Sequence, residues 1–328
     1  MSAITEKFER GAMTRKRLAR LGVFALVLTL VAGVSALAGT AKAPQLKGNI
    51  TADGSSTVGP WTTSAAEMYR KVQPKVRITV GVSGTGGGFE KFCRGEIDLA
   101  NASRAIKSSE YAKCRENGVK WVAFTVANDG ITLVTSKQNT WATCLTTAEL
   151  KKVWNTGSKV DNWKDVRASF PDVPLRLFGP GTDSGTFDFF TEFINGKAKA
   201  SRSDYTASED DNILVQGVSG TRGALGYFGL SYYEENKSRL NAVAIDAGAG
   251  CVSASTRTVQ NRTYKPLSRG LYIYAKRDSF RRAEVRSFIG FALNNQIKIA
   301  KTADYVPLTA AQAKRSRFHY STVLRQVG

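Results

Sequence analysis

Val76-Arg77-Ile78-Thr79-Val80-Gly81-Val82-Ser83-Gly84-Thr85-Gly86-Gly87-Gly88-Phe89 is the stretch on which the fold turns. Val76 to Val82 alternates and is rich in β-branched residues, so it reads as a strand. It runs straight into a glycine- and hydroxyl-rich loop, after which Phe89, Phe92 and Cys93 open a helix. Glycine lets the backbone turn its N–H groups inward, and Ser and Thr hydroxyls add donors that carry no charge. At a helix N-terminus such a loop is an anion cradle.

The unit recurs outward from there. Lys47 to Ala52 is β-like and ends at Asp53-Gly54-Ser55-Ser56-Thr57; Pro60 then suits a first helical turn, and Trp61, Ala65, Met68, Tyr69 and Val72 follow at helical spacing. Leu175 to Phe178 is a strand ending at Gly181-Thr182-Asp183-Ser184-Gly185-Thr186, with Phe187, Phe190 and Phe193 beyond it. Ser-Gly-Thr occurs at 83–85, 184–186 and 219–221, the last reading better as a turn than as a contact. Ile97 to Ala100 is a short strand before Asn101-Ala102-Ser103-Arg104. Val122–Val126 and Ile131–Val134 flank Asn128-Asp129-Gly130, Trp141–Trp154 reads as an amphipathic helix, and Gly223 to Phe228 is a late strand. Repeated strand, loop and helix predict an α/β chain with loops at the carboxyl ends of strands, where open sheets bind ligands. The chemistry of those loops points to a small oxyanion.

The chain has 328 residues and a formal net charge of +20. Residues 1–38 read as a targeting segment: Arg15, Lys16, Arg17 and Arg20 are basic, Leu21–Val34 is uncharged and apolar, and Ala36-Leu37-Ala38 is a small-x-small cleavage site. An uncleaved N-terminal anchor is the other reading, although the run is somewhat short for a span. Six of the 47 basic and two of the 27 acidic residues lie in the leader, which leaves +16 for the rest. That excess favours anionic partners. Nucleic acid is not expected, on the reading that no Lys/Arg cluster beyond the leader is interleaved with aromatics.

Export and four cysteines suggest two disulfides. Of three pairings, Cys93–Cys114 closes a short local loop, which leaves Cys144–Cys251. No cysteine spacing is a metal motif, and neither a metal nor a cofactor is expected. Gly84–Phe89 lacks the last glycine of a dinucleotide fingerprint, no P-loop is present, and Ser83, Ser184 and Ser219 all lack the nucleophile-elbow pattern. His319, the one histidine, reads as a surface or packing residue. No enzyme is expected.

Taken in order, Asp53–Val58, Gly84–Phe89, Asp98–Arg104, Gly181–Phe187 and Gly223–Tyr227 resemble the phosphate-binding protein of the Pst-type ABC transporter across the whole chain after the leader. The resemblance implies a two-lobed periplasmic-binding-protein fold of type II, with inorganic phosphate in the cleft and delivery to a membrane-embedded ABC permease from outside the cytoplasmic membrane. It implies a monomer, with lobe one as 47–132 plus 252–328 and lobe two as 133–251. Carried over by position, Ser56 and Thr57 contact the ligand from lobe one, Thr85 holds a family hydroxyl position with Ser83 as its alternative, and Ser184, Gly185 and Thr186 supply lobe two. The pattern departs at Arg104, where the family carries an aspartate, and at Pro180, where it carries an arginine. Arg104 is accordingly expected to donate to phosphate, and Asp129, the nearest replacement acid, to accept its proton. Other readings are a sulfate or molybdate binder, a phosphate sensor, or an exported phosphate-handling enzyme.

Overall fold

One strand ties the molecule together. β4 (Trp121–Ser136) is 16 residues long and runs through Asn128-Asp129-Gly130 without a turn. The sequence reading broke it into two strands at that Asp-Gly pair. The pair stays extended because it is laddered on both sides of the break: Arg269 lies opposite Asp129, and Gly229 opposite Ile131. Glycine is needed at 130 for closeness rather than for a turn, since a Cβ there would lie 2.4 Å from Val259 Cγ2.

The computed structural model describes residues 45–327; the leader read at 1–38 lies outside them. The remaining strands are β1 (Gly48–Gly54), β2 (Val76–Val80), β3 (Leu99–Ala102), β5 (Cys144–Thr146), β6 (Arg176–Gly179), β7 (Thr206–Ala207), β8 (Ala224–Gly229), β9 (Leu240–Asp246), β10 (Cys251–Val252) and β11 (Ser268–Lys276). Their order is β2-β1-β3-β11-β4-β8-β6-β7, with β9 also pairing β4 and carrying β5 and β10. β1, β2 and β3 are parallel, so all three deliver their following loops to the same end of the sheet. β11 returns antiparallel between β3 and β4.

Two main hydrophobic clusters divide along β4. Val126 and Ala127 belong to a core with Ile50, Trp61, Leu271 and Phe288. Ile131 and Leu133 belong to another with Trp154, Trp163, Phe190 and Tyr227. Ala254, Val259, Tyr264 and Leu267 pack with the second cluster, so the chain changes core on its return at the start of β11, not near Cys251.

Cys93 is bonded to Cys114 and Cys144 to Cys251. The first ties the helix Gly84–Cys93 to Ser108–Glu116, and the second ties β5 to β10 across β9. The helix expected over 141–154 is only Thr147–Trp154. Thr146 Oγ1 accepts from Glu149 N (3.1 Å) while Glu149 Oε2 accepts from Thr146 N (2.8 Å). This capping box starts the helix, and Cys144 upstream is drawn into β-pairing with Ala244.

Lys314-Arg315-Ser316-Arg317-Phe318-His319-Tyr320 does interleave bases and aromatics, contrary to the reading above. It lies on the helix Ala310–Val327, whose inner face buries Ala313, Ser316 and Val323 and leaves Phe318 61% exposed. Among the described residues no helix is long and apolar enough to cross a membrane.

Candidate functional site

The loops after β1, β2 and β3 meet the helix Gly185–Phe190 and the start of β11 around a cavity of about 240 Å³. Ser55, Ser56 and Thr57 line it from the first loop, Gly84, Thr85 and Gly86 from the second, and Ser103, Arg104 and Lys107 from the third. The other side is formed by Gly185, Asp188, Phe189, Glu192 and Phe193, with Arg269 between. Gly84, Thr85 and Gly86 form the first turn of Gly84–Cys93, so their N–H groups have no intrahelical acceptor. Thr85 Oγ1 lies 3.1 Å from Ser103 Oγ, which joins two of the loops.

Arg269 is the cation that the sequence reading missed. Its guanidinium is held on three sides: Nε donates to Asp129 Oδ2 (3.0 Å), Nη2 to Thr57 Oγ1 (2.8 Å), and Cζ sits 3.7 Å above the Phe189 ring. A longer contact runs from Nη2 to Gly185 O (3.4 Å). The side chain is 11% exposed, so it presents a desolvated, oriented charge. Asp129 is cross-strand to it on β4 and 4% exposed, behind the cavity wall and not in it. Its carboxylate accepts from the arginine.

Arg104 lines the cavity, but Glu110 holds it through two bonds of 2.8 and 2.7 Å. Burial raises the Glu110 carboxyl, yet the Arg104 hydrogen bonds, the Lys107 N–H and the charges of Arg104 and Lys107 together outweigh it and leave the group below the ordinary carboxylate range. Ser83 turns away: its N–H and hydroxyl both donate to Asp53 Oδ1, at 3.0 and 2.9 Å. Asp53 also takes Lys91 and the Gly54 N–H, so Ser83 braces the loop while Thr85 faces the cavity. Ser184 caps its helix, accepting from Thr186 N (3.1 Å), and of the 184–186 triplet only Gly185 lines the cavity. A Cβ on Gly185 would lie 2.4 Å from Thr57 Oγ1 and 2.8 Å from Thr57 N. Glycine there lets the two walls touch over the cavity.

Asp188 was also missed. Its Oδ1 is buried without a hydrogen-bond partner, which is costly unless something else meets it. Burial raises its pKa, against the pull of Lys199 and Arg269. Of Phe187, Phe189, Phe190 and Phe193 the first three are buried, whereas Phe193 is 49% exposed and lines the cavity. Nothing local marks Arg269, whose partner lies 140 positions away on another strand. Asp188 had one signal: an acid four residues beyond the capping Ser184, on the same helical face.

Residues 39–296 match the PBP superfamily domain. The protein SphX of Synechococcus elongatus is 47% identical over 289 residues, covering 87% of this chain and 85% of its own length. The phosphate-binding protein PstS of Staphylococcus saprophyticus is 36% identical over 291 residues, covering 88% of this chain and 89% of its own. This chain belongs to the PstS-like family of the PBP superfamily. The crystal structure of a possible phosphate binding protein from Planctomyces limnophilus superposes with a TM-score of 0.82 at 46% identity, covering 85% of this chain and all of the other. The fold is therefore the type II periplasmic-binding-protein fold, and the cavity is lined from both sides of the β4–β11 pair.

Proposed function

We propose that the protein captures inorganic phosphate in this cavity, outside the cytoplasmic membrane, and delivers it to an ABC permease without chemistry of its own. The observation that carries the reading is the pairing, in one cavity, of a pinned guanidinium (Arg269) with an unpartnered carboxylate oxygen (Asp188 Oδ1). Phosphate near neutral pH keeps at least one proton, so it is both anion and donor. Arg269, Thr57, Thr85, Ser56 and the open N–H groups of the second loop suit its oxygens. Asp188 suits its hydroxyl, in place of Asp129, which orients Arg269. Sulfate has no proton and would set a lone pair against Asp188, leaving that carboxylate unpaired at about 1–3 kcal/mol or more. Family membership supports the same reading, as do disulfides suited to an oxidising compartment. The proposed lobes are 47–130 plus 268–327 and 131–267, the return crossing being moved from residue 252 because Ala254 to Leu267 pack with the second core. The protein acts as a monomer in this reading.

Calorimetry with phosphate, sulfate, arsenate and molybdate tests it. Phosphate and arsenate, both protonated, are expected to bind far more tightly than the other two. Asp188→Asn, whose amide can donate as well as accept, is expected to narrow the phosphate-to-sulfate ratio. Sulfate or molybdate binding at least as tightly as phosphate would overturn the proposal.

A further inference from the structure

The end of lobe one opposite the cavity carries a separate feature. There β1, β2 and β3 begin, β11 ends and β4 begins: Gly48 pairs with Val76, Leu99 with Ala275, and Lys276 with Trp121. The segments leaving this edge are strongly basic. Lys47 precedes β1, Lys71 and Lys75 bracket the turn into β2, Lys120 precedes β4, Arg281 follows β11, and Arg325 lies in the last turn of the last helix, whose Gln326 accepts from Arg277. The first six of these side chains are exposed and Arg277 is half-buried. The exposed acids nearby are fewer than the bases: Glu67, Glu96, Glu116 and Asp278, with Glu96 paired to Arg94 and Asp278 3.9 Å from Arg281. Asp98 and Glu284 at the same edge are taken by Arg282.

An apolar tip sits within this charge. The turn is Lys71-Val72-Gln73-Pro74-Lys75, and Val72 is 48% exposed between two lysines. The described chain enters beside it: Gln45 Nε2 donates to Val72 O (3.4 Å) and Leu46 N to Gln73 Oε1 (2.8 Å). In the sequence, the uncharged apolar run Leu21–Val34 ends ten residues upstream, with 35–44 between. A basic face with an apolar tip is complementary to anionic lipid headgroups, each cation near such a surface contributing about 1 kcal/mol.

We propose that this basic pole seats the protein on an anionic phospholipid surface, with the phosphate cavity at the far end of the lobe and free to fill. The proposal is independent of which oxyanion the cavity takes. It holds whether the leader is cleaved, when the pole acts alone, or retained, when the pole adds to it.

The test is co-sedimentation of the exported protein with phosphatidylcholine vesicles, with and without one-third phosphatidylglycerol. Binding is expected only to the anionic vesicles and is expected to be lost in 1 M salt, where the Debye length is about 3 Å. The triple variant Lys71→Gln, Lys75→Gln, Arg281→Gln is expected to partition about a hundredfold more weakly, at about fivefold per cation. A control triple on lobe two, Lys151→Gln, Lys159→Gln, Lys164→Gln, removes the same charge from exposed positions and is expected to bind as the parent does. Phosphate calorimetry reads the distant cavity and verifies the fold of both triples. Three results would each overturn the proposal: the pole variant binding like the parent, the control losing as much as the pole variant, or duplex DNA competing as well as anionic vesicles at equal charge.

Discussion

Arg269 and Asp129 divide what a single site residue often does. In the proposed function Arg269 meets the ligand, and Asp129 fixes where the guanidinium points from directly across the β4–β11 ladder. Arg269→Ala is therefore expected to weaken phosphate binding by roughly ten- to hundredfold, the range of a hydrogen bond to a charged group. Asp129→Asn is expected to weaken phosphate and sulfate alike, leaving their ratio unchanged, because it loosens the donor without altering the acceptor. Titration of both anions against both variants separates the roles; a changed ratio in Asp129→Asn would return that residue to the cavity. These two residues also show where sequence reading ends. Thr57, Thr85 and Gly185 announce themselves through loops whose chemistry is local. Arg269 is visible only once two strands 140 positions apart are paired, and no local pattern carries that register.

At the scale of elements, the strand–loop–helix units were legible because alternation, glycine and hydroxyls lie consecutively in the chain. The continuity of β4 was not, since Asp-Gly is an ordinary turn signal and only its neighbours on both sides keep it extended. The start of the helix at Thr147 was missed for a related reason: Trp141 to Trp154 carries apolar residues throughout, but Thr146 and Glu149 stop the helix from reaching further back. Thr146→Ala is expected to destabilise the protein by about 0.5–2 kcal/mol, read as a lower midpoint in urea with an unchanged slope. Gly185→Ala acts differently. Its Cβ has no room against Thr57, so the expectation is weaker phosphate binding with little change in melting temperature of the ligand-free protein. A large loss of melting temperature without phosphate would instead make Gly185 a fold residue.

For the whole molecule, acid and base limits come from different places. Asp53, Glu110 and Glu149 sit below the ordinary carboxylate range: burial raises each, and hydrogen bonds from Lys91, Arg104 and Arg167 respectively, together with further hydrogen bonds and the charge of those same partners, more than offset it. Their contribution is present above the unfolded pKa and lost as pH falls through the folded value. Asp211 behaves in the opposite sense. Burial, with Asp210, Asp304 and Glu209 nearby, pushes it up to about 7 from 3.8. The folded protein thus holds a proton there that the unfolded chain has released, and this contribution fades as pH rises from about 4 through about 7. Asp211→Asn is expected to flatten the fall in melting temperature between pH 5 and pH 8 and to raise it at pH 8; parallel curves for parent and variant would refute this. The double crossing at Asp129 and Arg269 has a consequence of a different kind. If closure in the proposed function turns about the joining strands, the ligand's cation stands on the axle, whereas Gly185 and Asp188 stand on the moving jaw. An arriving anion can berth at the axle before the jaw shuts. A permease that prises the jaw back need not break the Asp129–Arg269 pair, so the berth is already set for the next ion when the cargo leaves.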